Sequence, residues 1–123
     1  MEKVHCICVM RNLVKAMSKL ESNLSDTYGL SLNEAMVLCC ISDEKLTSST
    51  ISHNTGLLPP HTSKTISSIE KKALVKRYLG SQDKRQMYFK LTPKGHELLC
   101  RLKENGIEIP ESLQPFFNTP TTE

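Results

Sequence analysis

Tryptophan is absent from this 123-residue chain, and only 5% of its residues are aromatic. Any core it builds must therefore be mostly aliphatic. Long apolar runs are missing too. None approaches the ~18 residues of a membrane-spanning helix, so no membrane association is expected. The N-terminus, Met1-Glu2-Lys3-Val4-His5-Cys6-Ile7-Cys8, lacks the long apolar segment and small-residue cleavage site of an export signal. The chain is expected to stay in the cytoplasm, where its five cysteines, an odd number, remain thiols. Signatures of catalysis are also missing: there is no glycine-rich phosphate loop, no nucleophile elbow and no pair of carboxylates in an apolar setting. The chain does not read as an enzyme. His96 and Cys100, four apart on one helix, could share a metal. Two ligands do not make a site, however, and no dense Cys/His cluster completes one, so neither metal nor cofactor is expected.

At roughly 100–200 residues per domain, the length allows one domain. Such a chain buries roughly two-thirds of its unfolded surface and needs no disulfide or metal staple. Its charge is unevenly placed. The net is +3, but the 34 residues from His61 to Lys94 carry nine Lys or Arg against Glu70 and Asp83, a surplus of +7. The remainder is mildly acidic. A basic block of this kind suits a polyanionic partner, with a merely solvated basic face as the alternative.

Apolar spacing and turn chemistry divide the chain into short elements. Ile7, Met10, Leu13, Val14, Met17, Leu20 and Leu24 recur at intervals of three and four, which predicts a first helix over about 3–23 with one apolar stripe. Ser31-Leu32-Asn33-Glu34 is a capping box, in which Ser31 and Glu34 satisfy each other's backbone N–H groups. The run Ala35 to Ile41 that follows has no polar residue, so this second helix is expected to be nearly all buried, Cys39 and Cys40 included. A short third helix starts near Thr47 or Ser48 and ends at Gly56. After the turn Leu57-Leu58-Pro59-Pro60, Pro60 opens a fourth helix running to about Lys72. Thr62, Thr65, Ile66 and Ile69 form its inner side. Two strand-like runs, 74–79 and 85–91, flank the turn residues Gly80-Ser81-Gln82-Asp83-Lys84, which predicts a hairpin. Thr92-Pro93 caps a fifth helix that stops at Gly106. Pro110 and Pro115 bracket a short last helix, and residues 118–123 read as a disordered tail.

Helix, helix, turn, helix, hairpin, helix is the order of a winged helix-turn-helix, a mainly α (α+β) fold with a two-stranded wing. A helix that enters the major groove of double-stranded DNA must present small or hydrogen-bonding side chains. The fourth helix offers His61, Thr62, Ser63, Lys64, Ser67, Ser68 and Lys71. The wing offers Lys76, Arg77, Asp83, Lys84 and Arg85 to phosphates or the minor groove.

Over Leu30 to Leu99 the chain resembles the MarR-type (multiple-antibiotic-resistance regulator) family of bacterial transcription factors. The matching residues are Leu32-Asn33-Glu34 with Val37-Leu38, Leu46-Thr47, Ile51 and Gly56. Next come the run Ile69-Glu70-Lys71-Lys72-Ala73-Leu74-Val75-Lys76-Arg77, then Asp83-Lys84-Arg85, and Leu91-Thr92-Pro93-Lys94-Gly95. The resemblance implies a homodimeric regulator that binds specific DNA sequences and that a small-molecule effector can release. It further implies that Arg85 reaches the minor groove, that Asp83 steadies the wing by pairing with an Arg, and that Ser63 and Lys64 stand where the family has its base-reading Thr-Arg pair. The domain would span residues 1–117, with a core of about 30–100 and dimerisation segments of about 3–24 and 107–117. Ile7, Met10, Val14, Leu113, Phe116 and Phe117 are the candidate interface. Two departures stand out. Ala73 replaces the usual glycine before the first wing strand, and only residues 107–123 remain where the family has a long fifth and a sixth helix.

The resemblance also extends to a hydroperoxide-sensing branch with a reactive cysteine near the start of the first helix. Cys6 and Cys8 are the candidates here, with His5 and Lys3 as local partners. Such a thiol-based redox-sensing regulator is one alternative. A winged helix that serves as a protein-interaction module, its basic block facing an acidic partner, is another.

Overall fold

The computed structural model describes residues 3–82 and 85–117. Helix α1 covers Lys3–Tyr28. It runs past the predicted end because no glycine or proline intervenes before Gly29, which turns out at φ +69° and donates its N–H to the Ser25 carbonyl. Helix α2 covers Leu32–Ile41 behind the expected capping box: the Glu34 N–H donates to Ser31 Oγ at 3.1 Å, and the Ser31 N–H donates to Glu34 Oε1 at 2.8 Å. Strand β1 is only Leu46–Thr47. Helix α3 covers Ser48–Thr55, with Thr47 as its cap and Gly56 at φ +80° as its stop. Helix α4 covers Pro59–Lys71, strand β2 Val75–Leu79, strand β3 Met87–Leu91 and helix α5 Pro93–Asn105. A 3-10 turn at Glu111–Leu113 leads into α6, Gln114–Phe117, so Pro115 lies inside this last helix instead of closing it.

These elements form two compact units, Leu30–Gly106 and the two terminal segments 1–29 and 107–123. The first is a winged helix-turn-helix. Its sheet is antiparallel with order β1-β3-β2, three strands where two were expected. The hairpin pairs Tyr78 with Tyr88 and Val75 with Leu91, while Leu46 and Thr47 lie opposite Phe89 and Tyr88. A two-residue strand has no alternation to detect, so β1 exists only through its partner. The core is aliphatic around one aromatic ring: Leu30, Val37, Leu38, Ile41, Ile51, Ile66, Ile69, Leu74, Val75, Leu91 and Leu99 with Phe89.

Cys39 and Cys40 do not join that core. Cys39 is exposed and Cys40 half-buried. The buried positions of α2 are Glu34, Ala35, Val37, Leu38 and Ile41, one helical face, and the two cysteines fall on the other.

The turn after α4 is pressed closely against the start of α5. Ala73 takes the left-handed conformation at φ +62°. Its N–H donates to the Glu70 carbonyl, and the Leu74 N–H donates to the Ile69 carbonyl. This is a Schellman motif, with Ala73 at the position that normally calls for glycine. Thr92 then fastens the start of α5 to the same turn, donating its hydroxyl to the Ala73 carbonyl at 2.6 Å and its N–H to the Leu74 carbonyl at 3.0 Å. A Cβ on Gly95 would overlap the Leu74 carbonyl oxygen, so only glycine permits this approach.

In the terminal unit Ala16, Leu20 and Leu113 form a small buried cluster, with Leu13, Ile107 and Ile109 packed against it. Asn23 Nδ2 donates to the Glu108 carbonyl at 3.0 Å. Leu113, expected to face a partner, is only 5% exposed and is enclosed within its own chain. Ile7, Met10, Val14 and Phe116 remain exposed. The side chain of Phe117 and the tail 118–123 lie outside the described residues.

Candidate nucleic-acid interface

Helix α4 has two unlike faces. Thr62, Thr65, Ile66 and Ile69 point inward and are buried. His61, Ser63, Lys64, Ser67 and Lys71 are exposed. Thr62, counted above among the DNA-contacting candidates, is 0% exposed, and its hydroxyl donates to the Leu58 carbonyl at 3.2 Å. It shapes the helix start and is not available to a ligand. Ser68 is half-buried and donates its hydroxyl to Glu34 Oε2 at 2.7 Å, so it too serves an internal contact.

Glu34 is the hub that holds α4 against α2. Besides closing the capping box and accepting from Ser68, its carboxylate accepts from Lys72 Nζ at 2.8 Å. Burial by itself raises the pKa of this carboxyl. The hydrogen bonds from Lys72, Ser31 and Ser68 and the Lys72 charge outweigh it and hold the pKa below the usual carboxylate value. The capping role of Glu34 was evident from its spacing to Ser31. Its reach to Ser68 and Lys72, 34 and 38 residues away, had no local signal.

The wing is tied to α4 by Arg77, which donates Nε to Glu70 Oε2 at 2.8 Å and Nη2 to Glu70 Oε1 at 2.6 Å. Its guanidinium also lies over the Phe89 ring, 5.5 Å from the centroid. The Arg77 hydrogen bonds hold the Glu70 carboxyl below its ordinary pKa, with partial burial opposing them. Arg77, named above among the wing residues, is also a strut between β2 and α4, because a forked guanidinium and a carboxylate at this distance pair in two places. Lys76 is exposed and sits 5.7 Å from the Tyr78 ring centroid. Arg85 is exposed in the turn before β3. Asp83 and Lys84 lie outside the described residues, and with them the ion pair implied for the wing.

Two surface depressions of about 370 Å³ flank α4. Ser31, Asn33 and Glu34 of the α2 start border one, together with His61, Lys64, Thr65 and Ser68. Thr47, Ser48 and Ser49 border the other with Ser63, Ser67, Arg77 and Gln86. Asn33, Ser48, Ser49 and Gln86 thus join the polar face around α4. Single polar residues at two helix starts and beside a strand gave no reason to expect this.

Of the other candidates, Cys6 is exposed and Cys8 half-buried, whereas the side chains of Lys3 and His5 lie outside the described residues. His96 Nδ1 lies 3.8 Å from Asp43 Oδ1. Among the described residues, no group of three or more His, Cys, Asp or Glu side chains is placed to hold a metal ion, and no helix is long and apolar enough to cross a membrane.

A buried-backed polar helix after a tight turn, braced to a β-hairpin, is the arrangement of the winged helix-turn-helix class. Within that class, residues 19–102 match the family model described as transcriptional regulator SarA/Rot, and the chain belongs to that family. Solved structures agree on the fold. The chain is 18% identical to MepR of S. aureus in its DNA complex, with 99% of this chain and 87% of that one covered and a TM-score of 0.74. It is 21% identical to AbsC, a MarR family transcriptional regulator from Streptomyces coelicolor (95% and 80% covered, TM-score 0.72). It is also 21% identical to the transcriptional regulator BldR from Sulfolobus solfataricus (96% and 84% covered, TM-score 0.70). No curated protein sequence matches the chain.

Proposed function

We propose that this regulator works in the cytoplasm as a homodimer that binds specific sequences of double-stranded DNA. Helix α4 lies in the major groove and the basic wing on phosphates or in the minor groove. The observation that carries this reading is the face of α4, where His61, Ser63, Lys64, Ser67 and Lys71 stand in solvent on a helix whose opposite side is fully buried. A helix only solvated on that side has no need of a cationic hairpin braced beside it. Two-fold symmetry would set two such helices about 34 Å apart, on successive major grooves. The exposed Ile7, Met10 and Val14 of α1, with Phe116, supply the apolar surface for pairing two copies.

Selection of bound duplexes from a random pool tests the reading. One enriched, roughly palindromic sequence is expected, with affinity falling steeply as salt rises, by a slope of about −0.9 per phosphate neutralised. An unenriched pool with a flat salt response would instead favour an acidic protein partner.

A further inference from the structure

The start of α4 differs from the rest of its exposed face in having little to donate. Leu58 occupies the N-cap in extended conformation, and no side-chain hydrogen bond caps the helix. Pro59 and Pro60 follow at the first two helical positions, and neither has an N–H. A helix N-terminus ordinarily presents up to four unpaired N–H groups, which suit phosphate. Two of them are deleted here. What the turn offers is apolar surface: Leu58 is 64% exposed, and Pro59 and Pro60 are exposed beside it. The turn is also held in place. The Leu58 carbonyl accepts from the Thr62 N–H at 2.9 Å and from its hydroxyl at 3.2 Å, and Thr62 is itself anchored in the interior. Leu58 is therefore displayed at the start of the helix whose exposed face carries His61, Ser63 and Lys64.

The major-groove edges of the bases are made of donors and acceptors, and their one apolar group is the 5-methyl of thymine. We propose that Leu58, backed by Pro59 and Pro60, is a specificity-determining contact that packs against thymine 5-methyl groups and selects A·T pairs at that end of the α4 footprint. This rests on the reading of α4 as the major-groove helix.

The test uses the full-length protein and the duplex it enriches from a random pool. Each thymine in turn is replaced by deoxyuridine, which keeps every hydrogen-bonding group and removes only the methyl. Affinity is read by fluorescence anisotropy. At one or two thymines per half-site, the replacement should weaken wild-type binding about three- to tenfold, the scale of one lost apolar contact. Leu58→Ala should weaken binding to the unmodified duplex by a similar factor and lose sensitivity to the same replacement. Leu58→Met, which keeps a large apolar side chain, should retain it. Leu58 is exposed, so both variants should fold, which circular dichroism would verify. If no thymine is sensitive, or if the sensitivity survives intact in Leu58→Ala, the contact does not exist. If the protein enriches no duplex at all, the reading of α4 falls and this proposal with it.

Discussion

In the winged-helix unit Leu38, Ile41, Ile51 and Ile69 are fully enclosed, while on α1 of the terminal unit Ile7, Met10 and Val14 stand in solvent. The two regions have comparable apolar side chains but different means of covering them. The winged unit brings four helices and a sheet around one core. The terminal unit has a 26-residue helix with a few turns of chain against it, and its own buried cluster is Ala16, Leu20 and Leu113. The N-terminal half of the α1 stripe is left over. A helix that exposes such a stripe is unfinished in a way that a closed winged unit is not. The first region should respond to substitution as an independent core does, and the second as an interface does.

The largest effect on this contrast is expected from Gly95→Ala. The new Cβ meets backbone, not a flexible side chain, so the start of α5 or the Ala73-Leu74 turn must move. A loss of about 3 kcal/mol follows from such overpacking, and with it a fall of at least about 10 °C in the thermal unfolding midpoint. A change under about 1 kcal/mol would show that α5 and Leu74 are less tightly pressed than the geometry has them.

Val14→Asp should do little to stability and much to assembly. Burying an unpaired carboxylate between two copies should weaken association about a hundredfold or more, while the winged unit keeps its unfolding transition. Sedimentation velocity at tens of micromolar would show a dimer for the parent and a monomer for the variant. An unaltered dimer would remove this stripe from the interface.

Glu34→Gln probes the winged unit from its buried hydrogen-bond hub. A loss of about 1–2 kcal/mol at neutral pH is expected, moderated because Lys72 is partly solvated. The variant should also flatten the acid side of the stability curve. The carboxyl has a lowered pKa in the folded protein, so its contribution is complete above the ordinary value of about 4.5 and is lost as pH falls through the folded value. Urea unfolding between pH 3 and pH 7 would separate the parent from the variant, and parallel curves would contradict the assigned role.

The smallest effect is a gain. Ala73 holds φ +62° on an exposed turn, so Ala73→Gly should relieve strain and stabilise the winged unit by about 0.5–1 kcal/mol. Thermal unfolding would register a midpoint a few degrees higher. A decrease would mean that the entropy lost from glycine outweighs the strain at this turn.

Much of the winged unit was legible because its signals are local. Ser31 with Glu34, Thr47, and Thr92 with Pro93 each cap a helix using groups within three residues, and Gly56 and Gly106 end helices at the positions that need them. The turn chemistry between the two strand-like runs predicted the hairpin, and the buried side of α4 followed from spacing alone. The family pattern lay in the same residues. Errors came where a residue's environment is set by distant chain. Cys39 and Cys40 sit in an unbroken apolar run, yet α2 packs on one face only. Thr62 has the chemistry of a base contact, but the spacing of α4 already put it on the inner side, and there it lies.

The amino-acid sequence by itself therefore determined where the capped helices of the winged unit begin and end, the hairpin, the basic block and the family resemblance, because capping, turn formation and apolar period act over a few residues. Only the tertiary structure decided that Leu46–Thr47 completes a sheet, that Glu34 holds Ser68 and Lys72, that Arg77 braces the wing to Glu70, that Gly95 lets α5 approach Leu74, and that Leu113 belongs to its own chain. Each of these joins groups whose separation along the chain carries no information about their separation in space, and each exists only once packing has brought them within hydrogen-bonding or van der Waals distance.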